Sequence, residues 1–253
     1  SQFLISLVRR MVKSIYRYCD IILVQSKSFI EPVICAGAKR EKVRYFPNWA
    51  ESLYKPIKLE MNAPERQEVP DSGFVVMFAG NLGVAQSLDT IIATAEKLKE
   101  ENIHWVFLGD GRKRCWLADL VAKKQFDKVH ILGSRPIESM PAYFSLADVM
   151  LVTLKADPIM STTIPGKVQS YLACKRPIVG ALNGAGAKVI NDSRSGYSVD
   201  SDDVENLATC ILKMSRLSIE ERDEMGKAAL DYYHCHFDRD MLVDQLQVWM
   251  EDQ

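Results

Sequence analysis

From residue 74 onward, short apolar runs alternate with stretches whose apolar residues return every three or four positions. The runs fall at 74–79, 104–109, 129–133, 148–154 and 177–182, with a weaker one at 196–199. The stretches between them include 87–101, 112–124, 164–175 and 204–216. A continuous apolar run of this length buries both faces of a strand, and helical crossovers join strands in parallel. The pattern therefore predicts an α/β fold, a doubly wound parallel sheet covered on both sides. Two more helices, 219–235 and 239–252, follow with no further strand. His234-Cys235-His236 closes the first of them.

The front of the chain reads as helix, strand, helix, strand. Leu4, Leu7, Val8, Met11 and Ile15 recur at helical spacing, with Arg9, Arg10, Lys13 and Arg17 elsewhere on the wheel. Residues 20–26 read as a buried strand ending at Ser26, a helix N-cap, and Val43 to Phe46 as a second strand. So few elements cannot cover a sheet on both faces, so residues 1–55 are expected to be the C-terminal remnant of another domain. Residues 56–73 hold three prolines, many charges and weak periodicity, the pattern of a linker. The expected organisation is thus a remnant (1–55), a linker (56–73), a Rossmann-like domain (74–238) and a C-terminal helix (239–253).

With 47% hydrophobic and 26% charged residues the balance is that of a soluble globular protein, and no run of about 18 apolar residues spans a bilayer. The start has no signal-peptide pattern. Six scattered cysteines without CxxC pairs read as small core residues in a reducing cytosol, and the four histidines show no zinc-ligand spacing. Net charge is −1 but uneven: residues 1–55 carry ten Lys/Arg against four Asp/Glu. That asymmetry suggests an anionic partner for the front, while the overall balance argues against nucleic acid.

A doubly wound sheet binds its ligand beyond the C-terminal ends of its strands. Gly80-Asn81-Leu82-Gly83 follows the first strand, where glycines let backbone N–H groups approach an anion and the next helix start favours negative charge. A ligand-free glycine turn is the alternative. Gly109-Asp110-Gly111 resembles a dinucleotide fingerprint but has Arg114 at the third glycine position and Gly133-Ser134 where a ribose-binding acid would stand, so a structural turn is expected. In Gly133-Ser134-Arg135-Pro136, Arg135 can reach a phosphate or a base, or be an ordinary surface arginine. The stretch Thr163-Ile164-Pro165-Gly166-Lys167 reads as a helix start with Pro165 at its first position. Lys167 there opposes the helix dipole, so a bound anion would compensate it; a solvated lysine is the alternative. No nucleophilic triad, metal-ligand cluster or DxD is evident, so no metal or cofactor is expected.

These residues resemble the retaining GT-B glycosyltransferases of family four, and within them a bacterial branch that includes L-fucosaminyl transferases of surface-polysaccharide assembly. The resemblance runs through DIILVQS, VRYFPNWAE, FAGNLGVAQSLDTII, FLGDGRKR, ILGSRPIESMPAYFSLADVMLV and TIPGKVQSYLACKRPIVGALNG. It implies two facing Rossmann-like domains, acceptor on the first and nucleotide-sugar on the second. The nucleotide site then maps onto Gly80, Asn81, Leu82, Gly83, Gln86, Arg135, Pro136, Thr163, Ile164, Pro165, Gly166, Lys167 and Ser170. Two departures stand out. Asn81 and Gln86 occupy places where the broader family has an Arg and a Lys on the diphosphate. Thr162 and Ser170 replace its paired acids, the second of which binds ribose.

The implied function is transfer of a sugar from a UDP-sugar donor to a lipid-linked glycan acceptor, in the bacterial cytoplasm, with peripheral attachment to the anionic inner membrane face. The isolated chain is expected to be inactive in transfer. A sugar-nucleotide epimerase on the same scaffold and a non-catalytic nucleotide-binding module are the competing readings, and fold alone separates none of them.

Overall fold

A computed structural model describes residues 2–251. The expected units 1–55 and 239–253 extend onto Ser1, Asp252 and Gln253, which lie outside the described residues. Eight strands are found among the described residues: β1 (Ile22–Val24), β2 (Val43–Tyr45), β3 (Phe74–Ala79), β4 (Ile103–Leu108), β5 (Val129–Gly133), β6 (Val149–Thr153), β7 (Ile178–Ala181) and β8 (Gly196–Val199). The last six form one fully parallel sheet in the order β5-β4-β3-β6-β7-β8. β1 and β2 make a separate parallel pair.

The helices are α1 (Gln2–Tyr18), α2 (Ile30–Cys35), α3 (Leu88–Lys97), α4 (Arg114–Lys124), α5 (Met140–Ser145), α6 (Pro158–Ser161), α7 (Gly166–Ala173), α8 (Ala185–Asp192), α9 (Val204–Ser215), α10 (Ile219–His236) and α11 (Arg239–Glu251). α5, α6 and α8 carry too few periodic positions to stand out in the sequence. Period-two alternation in the strands feeds two cores. Val75, Met77, Ala79, Met150 and Val152 face one, with Tyr171 and Leu172 of α7 and Phe237. Phe74, Val76, Phe78, Trp105 and Phe107 face the other, with Leu88, Ile91 and Ile92 of α3 and Leu207 and Ile211 of α9.

β3 pairs with β4 along its whole length, but with β6 only at Val76–Val149 and Met77–Met150. The chain winds outward from β3 one way and from β6 the other, so this is the point where the strand order reverses. There the two strands part at their C-terminal ends. In a parallel ladder alternate residues address opposite neighbours, and the N–H groups of Phe74 and Gly80 donate to Asn102 and Leu108 on the β4 side. Ala79 therefore faces the parted side. The buried Tyr171 hydroxyl fills the gap, accepting from the Ala79 N–H (3.1 Å) and donating to the Ala79 carbonyl (3.0 Å).

Several expectations need correction. The strand expected at 20–26 is three residues long and only Val24 is buried, because its mate β2 is its one neighbour. Ser26 does cap a turn, accepting from the Ser28 N–H, but the turn is 3-10. Of the cysteines only Cys174 is buried, whereas Cys35, Cys115 and Cys235 are exposed; α4, which carries Cys115, buries only Leu117. Segment 56–73 is tied to the sheet domain rather than free: Val69 lies in the core, and Glu68 bonds Arg135. α11 returns to the front, where Trp249 meets Phe46 edge-on. α1 has no buried residue, and its Leu4, Leu7, Val8, Met11 and Ile15 are exposed. No helix among the described residues is long and apolar enough to cross a membrane.

Candidate functional site

A cavity of about 570 Å³ opens where β3 parts from β6. Its floor is Ala79 and Gly80 at the end of β3, and one wall is the start of α7, with Gly166, Lys167, Ser170 and Tyr171. Met140 and Phe144 of α5 close a side. The opposite wall comes from the front of the chain: Asn48, Trp49, Glu51 and Tyr54. Tyr54 stacks on Phe144 at 5.8 Å, and the Ser170 hydroxyl donates to the Gly166 carbonyl at 3.4 Å. Burial, reinforced by Glu51, raises the Tyr54 pKa.

Lys167 is the cation of the cavity. Its Nζ donates to Gln86 Oε1 at 2.7 Å and sits 3.7 Å from the centroid of the Phe78 ring. It makes no ion pair among the described residues. Although the residue as a whole is only half-buried, the desolvation of its ammonium brings the pKa down to about 7. Such a cation lacks a negative partner, and an anion entering the cavity supplies one. Two backbone donors stand beside it. The N–H groups of Gly166 and Lys167 begin α7 and have no acceptor among the described residues, whereas the Val168 N–H is already used by the Pro165 carbonyl. A Cβ added at Gly166 meets nothing within 4 Å, so the approach to these donors is open.

The start of α3 is built differently. Val84–Gln86 forms a 3-10 turn, Ser87 is left-handed, and the Asp202 carboxylate already accepts from the Ser87 and Thr90 hydroxyls at the helix start. A carboxylate of the protein thus already stands at the helix start expected after the first loop, bonded to two hydroxyls rather than to the helix N–H groups. Gly109 is a packing glycine: it has φ +139°, and a side chain there would collide with the Gly80 carbonyl.

Of the residues expected at a ligand site, Gly80, Gly166, Lys167 and Ser170 line the cavity and Gln86 reaches it through Lys167. The others are placed differently. Leu82 is fully buried in the core; its N–H and carbonyl bond Asp110 and Lys113. Asn81 and Gly83 lie against each other, with the Asn81 amide also over Gly111. Pro165 is extended and caps α7 rather than opening it, so the helix starts one residue after the proline. Thr163 donates to the Met160 carbonyl, and Ile164 lines a neighbouring groove. Arg135 is engaged by Glu68 (2.7 Å), the Tyr143 hydroxyl (3.1 Å) and the Leu132 carbonyl (2.6 Å), and Pro136 begins the turn beside it. Sequence reasoning missed the front wall. Its signal was present in the FPNWAE segment, noted for its likeness but not for its side chains. No group of three or more His, Cys, Asp or Glu among the described residues is placed to hold a metal ion.

The family model described as "Glycosyl transferases group 1" matches residues 73–216. The chain is 24% identical over 157 residues to the colanic acid biosynthesis glycosyl transferase WcaI of Escherichia coli (strain K12), covering 61% of this chain and 38% of that protein. It is 23% identical over 248 residues to the glycosyltransferase WbjE of Pseudomonas aeruginosa, covering 91% and 58%. The chain thus spans between about two fifths and three fifths of the length of these relatives. Among solved structures it superposes on Anabaena Alr3699/HepE, crystallised with UDP and glucose, with a TM-score of 0.76 and 16% identity over 94% of this chain and 64% of that one. That likeness establishes a shared fold.

Proposed function

Since the chain belongs to the glycosyl transferases group 1 family, we propose that it is the donor-binding part of a retaining GT-B glycosyltransferase that takes its sugar from a UDP-sugar. The acceptor is a lipid-linked glycan of surface-polysaccharide assembly, and the sugar is of the N-acetylated deoxyhexosamine class that L-fucosaminyl transferases handle. The WcaI name supports the polysaccharide setting, and HepE's complex with UDP supports the nucleotide. The supporting observation is the unpaired Lys167 ammonium beside two free helix N–H groups, at the end of β3.

When a glycosyl donor reacts, the bond from the anomeric carbon to the phosphate oxygen breaks and its electron pair leaves with the nucleoside diphosphate. Negative charge therefore grows on the diphosphate. Lys167, held by Gln86, and the N–H groups of Gly166 and Lys167 are fixed before that charge appears, which is how preorganised donors lower a barrier. The helix start adds about 0.3–1 kcal/mol for an anion. Asn81, Leu82, Gly83, Arg135, Pro136, Thr163, Ile164 and Pro165 shape the loops around this site. Ser170 and Tyr54 offer hydroxyls to the sugar rings from within the cavity. The exposed apolar face of α1, with Arg9, Arg10, Lys13 and Arg17 beside it, suits an anionic cytoplasmic membrane surface near the lipid-linked acceptor.

Calorimetry with UDP and uridine tests the site. A charge-assisted contact is worth roughly 1.5–3 kcal/mol, so Lys167→Ala should weaken UDP by about 10–100-fold and leave uridine nearly unchanged. Equal weakening of both ligands would remove Lys167 from the diphosphate.

A further inference from the structure

The lysine at the centre of the site is held by Gln86, and Gln86 belongs to a segment with little support of its own. Val84–Gln86 is a single 3-10 turn hung from the end of β6: the Ala85 carbonyl accepts from the Lys155 N–H at 3.0 Å, and the Gln86 carbonyl accepts from the Thr153 hydroxyl. The next residue, Ser87, turns the chain into α3 with φ +46° and ψ +45°. Such a left-handed conformation is unfavourable for any residue with a Cβ and persists only where surroundings enforce it.

What enforces it comes from 115 residues away. Asp202, on the loop after β8, is itself left-handed at φ +63°. One of its carboxylate oxygens accepts from the Ser87 hydroxyl and, at 3.2 Å, from the Thr90 hydroxyl. The other accepts from the Ala156 N–H at 3.2 Å, on the segment that leaves β6. Asp202 thus joins the three pieces that define the turn: its exit at Ser87, the first turn of α3 and the strand end it hangs from. The Ser87 bond is also the main reason its carboxyl titrates below the usual range. Asp202 does not line the donor cavity.

We infer that Asp202 is a positioning residue for the donor site: by clamping Ser87 in its left-handed turn it sets Gln86, and through Gln86 the Lys167 ammonium, for the diphosphate. This rests on the reading of Lys167 given above. Its distinctive consequence concerns glycine. A glycine at 87 adopts the same turn without a Cβ penalty, so it makes the carboxylate dispensable.

UDP binding to the full chain tests this. Asp202→Ala should raise the Kd for UDP on the order of ten-fold, the population cost of an unclamped left-handed serine. Adding Ser87→Gly to Asp202→Ala should bring the Kd back to within about twofold of the parent. In a Lys167→Ala background, Asp202→Ala should have almost no further effect, since the residue to be positioned is gone. A purely stabilising Asp202 would lower the melting temperature, give no rescue by glycine and show no coupling to Lys167. An unchanged Kd in Asp202→Ala, or a loss that persists with Ser87→Gly, overturns the inference. If the parent binds no UDP, the donor-site reading falls first, and a ligand-free arm still decides Asp202. Titration of the dimethylated Lys167 amine by carbon-13 NMR should shift from the parent's midpoint in Asp202→Ala, as the ammonium loses its Gln86 acceptor, and return in the double variant. No movement sinks the proposal with or without nucleotide.

Discussion

Removing one oxygen atom, in Tyr171→Phe, tests how the sheet opens at its switch point. The Tyr171 ring is buried in the core and meets Phe144 edge-on at 5.2 Å, contacts that phenylalanine retains. What disappears is the hydroxyl that accepts from the Ala79 N–H and donates to the Ala79 carbonyl. Both groups face the side where β6 has parted, and Ala79 is buried, so neither has a strand partner to turn to. Leaving a buried polar group unpaired costs roughly 1–3 kcal/mol. The two groups together give about 2–4 kcal/mol once the hydroxyl's own desolvation is recovered. In a protein of this size 1 kcal/mol moves Tm by about 2–4 °C, so a fall of roughly 4–16 °C is expected. Differential scanning calorimetry measures it, and urea denaturation gives an independent free energy. Burial holds the phenol far above neutral pH, so the difference between parent and variant should be flat from pH 6 to 9. A shift below 1 °C would mean that Ala79 is satisfied in another way and that the tyrosine does not close the gap.

Three further outcomes follow from the site and from the front helix. Lys167 titrates near 7 in the folded chain against 10.5 for an ordinary lysine, so the unfolded chain holds more protons between these values and stability rises with pH through that window. Binding of UDP-glucose should correspondingly take up about one proton above pH 7 and weaken as pH rises, as calorimetry in buffers of different ionisation enthalpy will report; proton-neutral binding at pH 8 would count against the lysine. Replacement of Arg9, Arg10, Lys13 and Arg17 by Gln should abolish flotation with anionic liposomes, since each basic residue contributes about 1 kcal/mol near such a surface; unchanged flotation would show that this basic face is merely solvated. Residues 1–253 by themselves should bind UDP-sugars yet transfer none to a lipid-diphosphate acceptor, because aligning two substrates accounts for roughly 7–11 kcal/mol of barrier lowering; turnover comparable to a relative such as WbjE would place catalysis in these residues.

The sheet was legible in the sequence. Apolar runs such as Phe74–Ala79 and Val149–Thr153 are continuous because both faces of a central strand are buried, and that requirement is written locally, residue by residue. The sheet edge where the cavity opens followed from the same order of strands and helices, and Lys167, which lines that cavity, stood out because a cation at a helix start opposes the dipole. The limits of the elements were less legible: Pro165 has the residue type of a first helical position but caps α7 in an extended conformation. Which loop residues line the cavity was decided by tertiary structure alone. Asn81 folds over Gly111, and Leu82 turns into the core. Arg135 is taken by Glu68, 67 residues earlier in the chain. The front wall of Asn48, Trp49, Glu51 and Tyr54 reaches the cavity only because Val69, Tyr233 and α11 draw that segment against the sheet domain. Periodicity records how each residue meets its own element; a loop side chain's direction depends on partners distant in sequence, and local pattern carries no trace of them.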